Sequence, residues 1–160
     1  MLRRGLLVAA LVAVADQLAK IAVLRHFGNP APPLSHPPDN PGALFNLVLT
    51  WNYGVSYGLF NSRSPVYTLI FALVAAAIVV ALVLWLRTVR QSLLALAIGL
   101  IIGGAVGNVI DRIWHGAVVD FLDFSGLWFP WVFNLADAAI SVGVGLLILD
   151  SLLARTKPPV

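Results

Sequence analysis

Apolar residues along this chain of 160 residues come in long runs, without the short alternation of a soluble sheet or the one-sided stripe of a soluble helix. Four runs, at about 5–24, 65–86, 92–110 and 133–153, each reach the roughly 20 apolar residues that a helix needs to cross a bilayer. Together they take up about half of the chain. The pattern predicts one membrane domain over 1–160, built on four transmembrane helices, with no separate soluble domain.

The connectors differ in character. The segment 25–64 opens with a proline-rich stretch, 29–41, that predicts irregular backbone. Residues 44–51 (LFNLVLTW) are apolar and β-branched enough for a strand, Asn52-Tyr53-Gly54 suits a turn, and 55–60 could pair back. An open sheet edge cannot sit in lipid, so such a pair is expected on the membrane face, beside the other connector. Trp51, Tyr53, Tyr57 and Phe60 would make it an aromatic platform at the interface. The expected role of 29–60 is a lid that governs access. The second connector, 111–132, carries the run GAVVDFLDF. Read as a strand, it puts Asp120, Leu122 and Phe124 on one face and Val119, Phe121 and Asp123 on the other, so only one of the two acids can face a site.

Charge sets the orientation. Arg3, Arg4, Arg87, Arg90, Arg155 and Lys157 flank the runs on one side, which the positive-inside rule makes cytoplasmic. Both termini are then inside, and 25–64 and 111–132 face outward. The N-terminus, MLRRG followed by LLVAALV and AVADQ, also has the form of a signal peptide. Asp16 and Lys20 speak for a retained helix, because they sit at i and i+4 on one helix face. The net charge of +3 follows from topology, and no basic stripe interleaved with aromatics points to nucleic acid. The chain has no cysteine, and its three histidines lack ligand spacing, so no metal or cofactor is expected.

Against 60% hydrophobic residues, the acids stand out: there are 7, all Asp, and four of them, Asp111, Asp120, Asp123 and Asp137, fall within 111–137. A carboxylate where a helix enters lipid is expensive, and by default marks a functional site. Asn108, Asp111 and Arg112 fall at i, i+3 and i+4. Arg112 is expected to neutralise Asp111, with Asn108 fixing it. A carboxylate held ionised by arginine makes a poor general acid, so this trio should support the site. Asn134 and Asp137 read as an N-cap with an acid in the first helical turn. That leaves Asp120 unexplained in its apolar run, and points to paired-carboxylate chemistry between Asp120 and Asp137. Gly103, Gly104 and Gly107 have the spacing of close helix packing.

The motifs DQLAK, NYGVSYGLF, GGAVGNVIDR, VVDFLDF and FNLADAAIS, in this order among four spans, resemble the lipoprotein signal peptidase family (signal peptidase II). The resemblance implies four transmembrane helices with a small extracytoplasmic β-cradle. It implies a membrane aspartyl endopeptidase of the bacterial inner membrane, acting as a monomer without cofactor. Its substrate would be a prolipoprotein, cut on the N-terminal side of a diacylglyceryl-modified cysteine beside membrane lipids. By the same resemblance Asp120 and Asp137 match the catalytic pair, and Asp16, Lys20, Asn52, Gly54, Gly104, Asn108, Asp111, Arg112 and Asn134 match residues that line or brace the pocket. NYGVSYG departs from the family where Ala-Ala or Ala-Phe often follows the glycine, which bears on substrate preference.

In such a pair one proton is shared. The helix dipole favours an ionised Asp137 and the apolar run a protonated Asp120, which suggests Asp137 as base and Asp120 as acid. Two other classes use acids near a bilayer. A small ion- or proton-coupled transporter should show repeated halves or broken helices, and neither is visible. A presenilin-type protease should carry GxGD in mid-helix, and that motif is absent.

Overall fold

The computed structural model describes residues 1–38, 43–54 and 64–155. Four helices dominate: α1 (Leu2–His26), α2 (Pro65–Leu86), α3 (Ser92–His115) and α4 (Leu135–Arg155). All four are long and apolar enough to cross a membrane. Three strands, β1 (Asn46–Asn52), β2 (Val118–Asp123) and β3 (Val132–Phe133), form one antiparallel sheet in the order β1-β2-β3. Both connectors that carry strands join the C-terminal end of one helix to the N-terminal start of the next, so the sheet sits at one end of the helices.

α3 is the hub. It packs along α1 and α4 and, less extensively, against α2. Its glycines make this possible. A Cβ on Gly99 would meet the carbonyl oxygen of Gly5 at 2.5 Å, and one on Gly103 that of Ala9 at 2.6 Å. Gly104 faces the other way, and a Cβ there would run into the Ala136 carbonyl of α4. Lipid supplies no hydrophobic force between helices, so such close approach is what van der Waals packing requires. By contrast α2 buries only Thr68 and Leu86 among its described residues and turns Leu69, Leu73 and Val80 outward.

Two expectations need correction. α3 does not end near Ile110 but runs to His115, where Gly116 caps it in the left-handed conformation (φ 73°). The polar stretch Asn108–Arg112 looks like a helix end in a hydropathy profile, yet two of its polar residues, Asn108 and Asp111, are buried against other elements, so the helix continues. β1 pairs with β2, with Thr50 opposite Asp120 and a register shift between Leu47 and Thr50. The proposed return strand, 55–60, lies outside the described residues, as do Tyr57 and Phe60 and residues 39–42 of the suggested lid. Second, Trp51 is not part of a surface platform. It is 3% exposed, packs in the core with Val23, Leu49 and Phe121, and donates its Nε1 to the Leu34 carbonyl at 2.9 Å.

One charged cluster holds these elements in register. Lys20 of α1 is buried, and its ammonium meets Asp16 Oδ2 at 2.7 Å, Asp111 Oδ2 at 2.7 Å and Asn108 Oδ1 at 3.0 Å. All three of its donors are thereby used. The second oxygen of Asp16 accepts the Ala136 N–H of α4 at 2.9 Å. Asp111 accepts the Val119 N–H of β2 at 3.1 Å and Gln17 Nε2 at 2.8 Å. So one ammonium ties α1 to α3, and its two carboxylates reach on to α4 and β2.

Removing one partner of a buried ion pair costs about 3–5 kcal/mol, because the other charge is left unpaired. Lys20→Met strands two carboxylates and should lose most folded protein in detergent. The neutral variant Asp16→Asn/Lys20→Met/Asp111→Asn should recover much of that loss. Thermal melting of the two variants checks this; a triple variant less stable than the single one would contradict it.

Candidate active site

Asp120 and Asp137 reach the sheet end of the helices from different elements. Asp120 lies in β2, whose run Val118–Asp123 is nearly all buried. Asp137 lies in the first turn of α4, and is buried as well. Two asparagines connect them. Asn134 immediately precedes α4, and its Oδ1 accepts the Asp137 N–H at 2.9 Å, as an N-cap does. Its Nδ2 points back to Asp120 Oδ1 at 2.7 Å, with longer contacts to the Val119 carbonyl and Asn108 Oδ1. Asn108 of α3 donates Nδ2 to Asp137 Oδ1 at 2.9 Å.

The second oxygen of Asp120 accepts Asn52 Nδ2 at 3.0 Å. The sheet register explains this bond. Thr50 lies opposite Asp120, so Asn52, two residues on, is its diagonal neighbour on the same face. Asn52 Oδ1 accepts the Gly54 N–H at 2.9 Å, closing the expected turn as an Asx-turn. The amides of Asn52 and Asn134 therefore cannot flip without losing a backbone bond. Each presents an NH₂ to Asp120.

Burial, and after it the negative charge of Asp137, push the Asp120 carboxyl up to about 8. The two amide bonds and the Lys20 charge pull it the other way, and burial prevails. Asp120 thus holds its proton at neutral pH.

Asp111 and Arg112 do not pair. Lys20 neutralises Asp111, while Arg112 donates to the Asn108 carbonyl at 3.2 Å and the Gly54 carbonyl at 2.6 Å. The reason is geometric: adjacent residues on a helix diverge and do not face each other. Gly104 lets α4 seat its first turn against α3. Asp16, Lys20 and Asp111 thus form the supporting cluster; Asn52, Gly54, Asn108, Arg112 and Asn134 surround the two acids. Asp123 is held apart, accepting the Ser125 N–H at 2.8 Å and Asn46 Nδ2 at 3.4 Å. Gln17 was not singled out from sequence, yet it bridges Asp111 and the Gly107 carbonyl. A glutamine beside Asp16 in an otherwise apolar helix was the available signal.

Two cavities meet Arg112. One, of about 490 Å³, is lined by Tyr53, Pro65, Thr68 and His115. The other, of about 310 Å³, is an apolar cleft among α2, α3 and α4, with Phe71, Ile78, Ala105 and Ile140 along it and Asn108 at one side. Arg112 Nε is buried without a hydrogen-bond partner among the described residues. Among the described residues, no three His, Cys, Asp or Glu side chains come together as a metal-holding group.

The family model described as signal peptidase (SPase) II matches residues 8–153. A lipoprotein signal peptidase of Caulobacter vibrioides is 45% identical over 149 residues, covering 92% of this chain and 86% of the relative. One of Nitrobacter hamburgensis is 43% identical over 162 residues, covering 95% and 93%. Among solved structures, a bacterial membrane enzyme determined by the in meso method at 2.3 Å resolution superposes with a TM-score of 0.77 at 27% identity, covering 98% of this chain and 93% of that one. A second, at 1.9 Å resolution, gives a TM-score of 0.71 at 30% identity, with 92% of each chain covered. The four apolar helices and these membrane-enzyme neighbours make this a multi-pass membrane protein. With a family model running through nearly the whole chain and relatives above 40% identity end to end, the chain belongs to the signal peptidase II family of proteases.

Proposed function

We propose that this protein removes signal peptides from prolipoproteins as an aspartyl endopeptidase, with Asp120 and Asp137 as its catalytic pair. The observation that carries the reading is the shared asparagine shell. Two buried carboxyls from different elements are linked through two amides: Asn134 donates to Asp120 and caps the Asp137 N–H, and Asn108 donates to Asp137 and accepts from Asn134, while Lys20 serves Asp16 and Asp111. Family membership supports the substrate class, and the relatives named lipoprotein signal peptidases support it further. A transporter finds no support among them.

The chemistry follows from the proton inventory. Asp137, ionised, takes a proton from a water, whose oxygen attacks the scissile carbonyl carbon. Asp120 gives its proton to the carbonyl oxygen. Collapse of the tetrahedral species breaks the C–N bond: the proton taken by Asp137 passes to the leaving amine, and the hydroxyl formed on the former carbonyl oxygen returns its proton to Asp120 as the C=O re-forms. Water is thereby added across the peptide bond, with no covalent intermediate. Asn52 and Asn134 hold Asp120 in place throughout, and Asn108 holds Asp137. Arg112 and the apolar cleft beside it suit a peptide carbonyl with an apolar neighbour, here the signal peptide or the acyl chains of a diacylglyceryl-cysteine. Cleavage is placed on the N-terminal side of that cysteine, which keeps its chains in lipid.

The same reading sets the topology. Arg87 and Arg90 join α2 to α3 at the end of the helices away from the sheet, and Arg3 and Arg4 open α1 there. With the positive-inside rule, that end is cytoplasmic and the two acids lie at the outer face of the inner membrane. Reporter fusions after residues 90 and 160 should be active only as cytoplasmic reporters. An outward signal from either would refute this orientation.

Asp120→Asn and Asp137→Asn should each lower the cleavage of a diacylglyceryl-modified prolipoprotein by at least about 10²–10⁴-fold, the usual share of acid–base catalysis, while the protein still inserts. Asp123→Asn should keep most of its activity. Cleavage by the unaltered protein should fall as pH rises through about 8, where Asp120 loses the proton it must donate. Mass analysis of the products reads all three; an active Asp120→Asn or an inactive Asp123→Asn would reverse the assignment.

A further inference from the structure

The stretch from Phe124 to Phe133, FSGLWFPWVF, contains no charged residue, although it lies outside every helix. It forms one turn of 3-10 helix, Ser125–Leu127, and then β3. Its phenylalanines cluster: Phe124 stacks on Phe133 at 5.7 Å between ring centroids and meets Phe45 at 5.2 Å, and Phe129 contacts Phe133 edge-on at 5.7 Å. Phe124, Leu127, Phe129 and Phe133 line an apolar hollow of about 340 Å³. The larger side chains on the rim are not covered. Trp128 is 96% exposed, and Leu127 and Trp131 are also exposed. Trp128 holds φ at +64°, a conformation that L-residues other than Gly, Asn and Asp rarely take, and it does so while projecting away from the protein. A soluble surface has no use for this arrangement, since it exposes apolar area and carries backbone strain together.

We infer that this loop is a membrane anchor, seated in the interfacial layer of the bilayer at the sheet end of the helices. Continuity argues for lipid as the occupant. Trp131 lies four residues before Leu135, the first residue of α4, which is itself exposed. At no more than about 3.6 Å per residue, the chain cannot carry Trp131 beyond roughly 14 Å from the start of that span. The distribution of tryptophans agrees. Trp51 is core, but Trp114 in the last turn of α3, with Trp128 and Trp131, is exposed at the sheet end, and Trp85 is exposed at the other end of α2. Exposed tryptophan at both ends of apolar spans, three at the sheet end and one at the other, is what the two membrane–water interfaces favour. The lack of charge in the loop fits the boundary between headgroups and acyl chains better than a contact with anionic headgroups. Leu44 and Phe45, exposed beside the same cluster, extend the anchor toward β1. The sheet that carries Asp120 is then held down on the lipid surface at a fixed depth.

The absence of cysteine allows a direct test. Nitroxide labels are placed one at a time on Leu127→Cys and Trp128→Cys, with Leu73→Cys in mid-α2 as the lipid reference and Arg90→Cys as the water reference. The labelled proteins are reconstituted in phosphatidylethanolamine–phosphatidylglycerol vesicles. For both loop labels, the ratio of oxygen to water-soluble nickel-complex collision rates should lie well above that of Arg90 and below that of Leu73. Because Leu127→Cys keeps Trp128, it reports on the intact tryptophan anchor even if Trp128→Cys misfolds. A water-like ratio at both positions would overturn the anchor. So would spin–spin broadening at the loop labels, which would show the face covered by a second copy of this chain.

Discussion

A lysine ammonium buried between membrane helices is costly, and here the position of nearly every functional group depends on how that cost is met. Lys20 uses all three donors, on Asp16, Asp111 and Asn108. The acceptors then pass the constraint on. Asp16 holds the N-terminal turn of α4 through Ala136, and Asp111 holds β2 through Val119. Those two elements carry Asp137 and Asp120. A shift of α1 would therefore move both acids, although α1 contributes neither. The close glycine contacts along α3 are the apolar counterpart of the same demand, since the cluster closes only if the helices approach to backbone distance.

The structure holds two groups of buried acids in different ways. Asp16 and Asp111 share a lysine. The proposed reacting acids are held by neutral amides, whose orientation is fixed by backbone bonds to Gly54 and Asp137. Amides position a carboxyl without forcing it to ionise, so burial and a neighbouring carboxylate can keep a proton on Asp120. The arrangement has a thermodynamic consequence. Between the usual carboxylate range and about 8, the folded protein keeps a proton that the unfolded chain releases. The stability contributed by that protonated form is complete below this window and is lost as pH rises through about 8. The buried Asp120 carboxyl is in this sense a weak point of the fold at alkaline pH.

Much of this was legible in the residues. The four spans stand out by length alone, and the i, i+4 spacing of Asp16 and Lys20 gave their ion pair. What could not be read was partnership across elements. Asp111 and Arg112 are adjacent and opposite in charge, yet helix geometry points them apart, and the true partner of Asp111 lies 91 positions earlier. Hydropathy placed the end of α3 too early because it cannot distinguish a solvated asparagine from a buried and satisfied one. The partner of β1 proved to be β2, a long-range pairing that no local turn signal reveals. Trp51 looked like a surface aromatic for the same reason; only the pairing of β1 with β2 turns it inward. The loop Phe124–Phe133, read only as a connector, holds the exposed aromatics instead.

The central claim is that the two acids hold one proton between them, and that it resides on Asp120. Infrared titration of the protein with isotope-labelled aspartate, compared with Asp120→Asn, observes that proton without reference to turnover. The account predicts a protonated-carboxyl band present at neutral pH, lost as pH rises through about 8, and missing from Asp120→Asn. A spectrum with no protonated aspartate at neutral pH, or with a band that persists unchanged in Asp120→Asn, would contradict it.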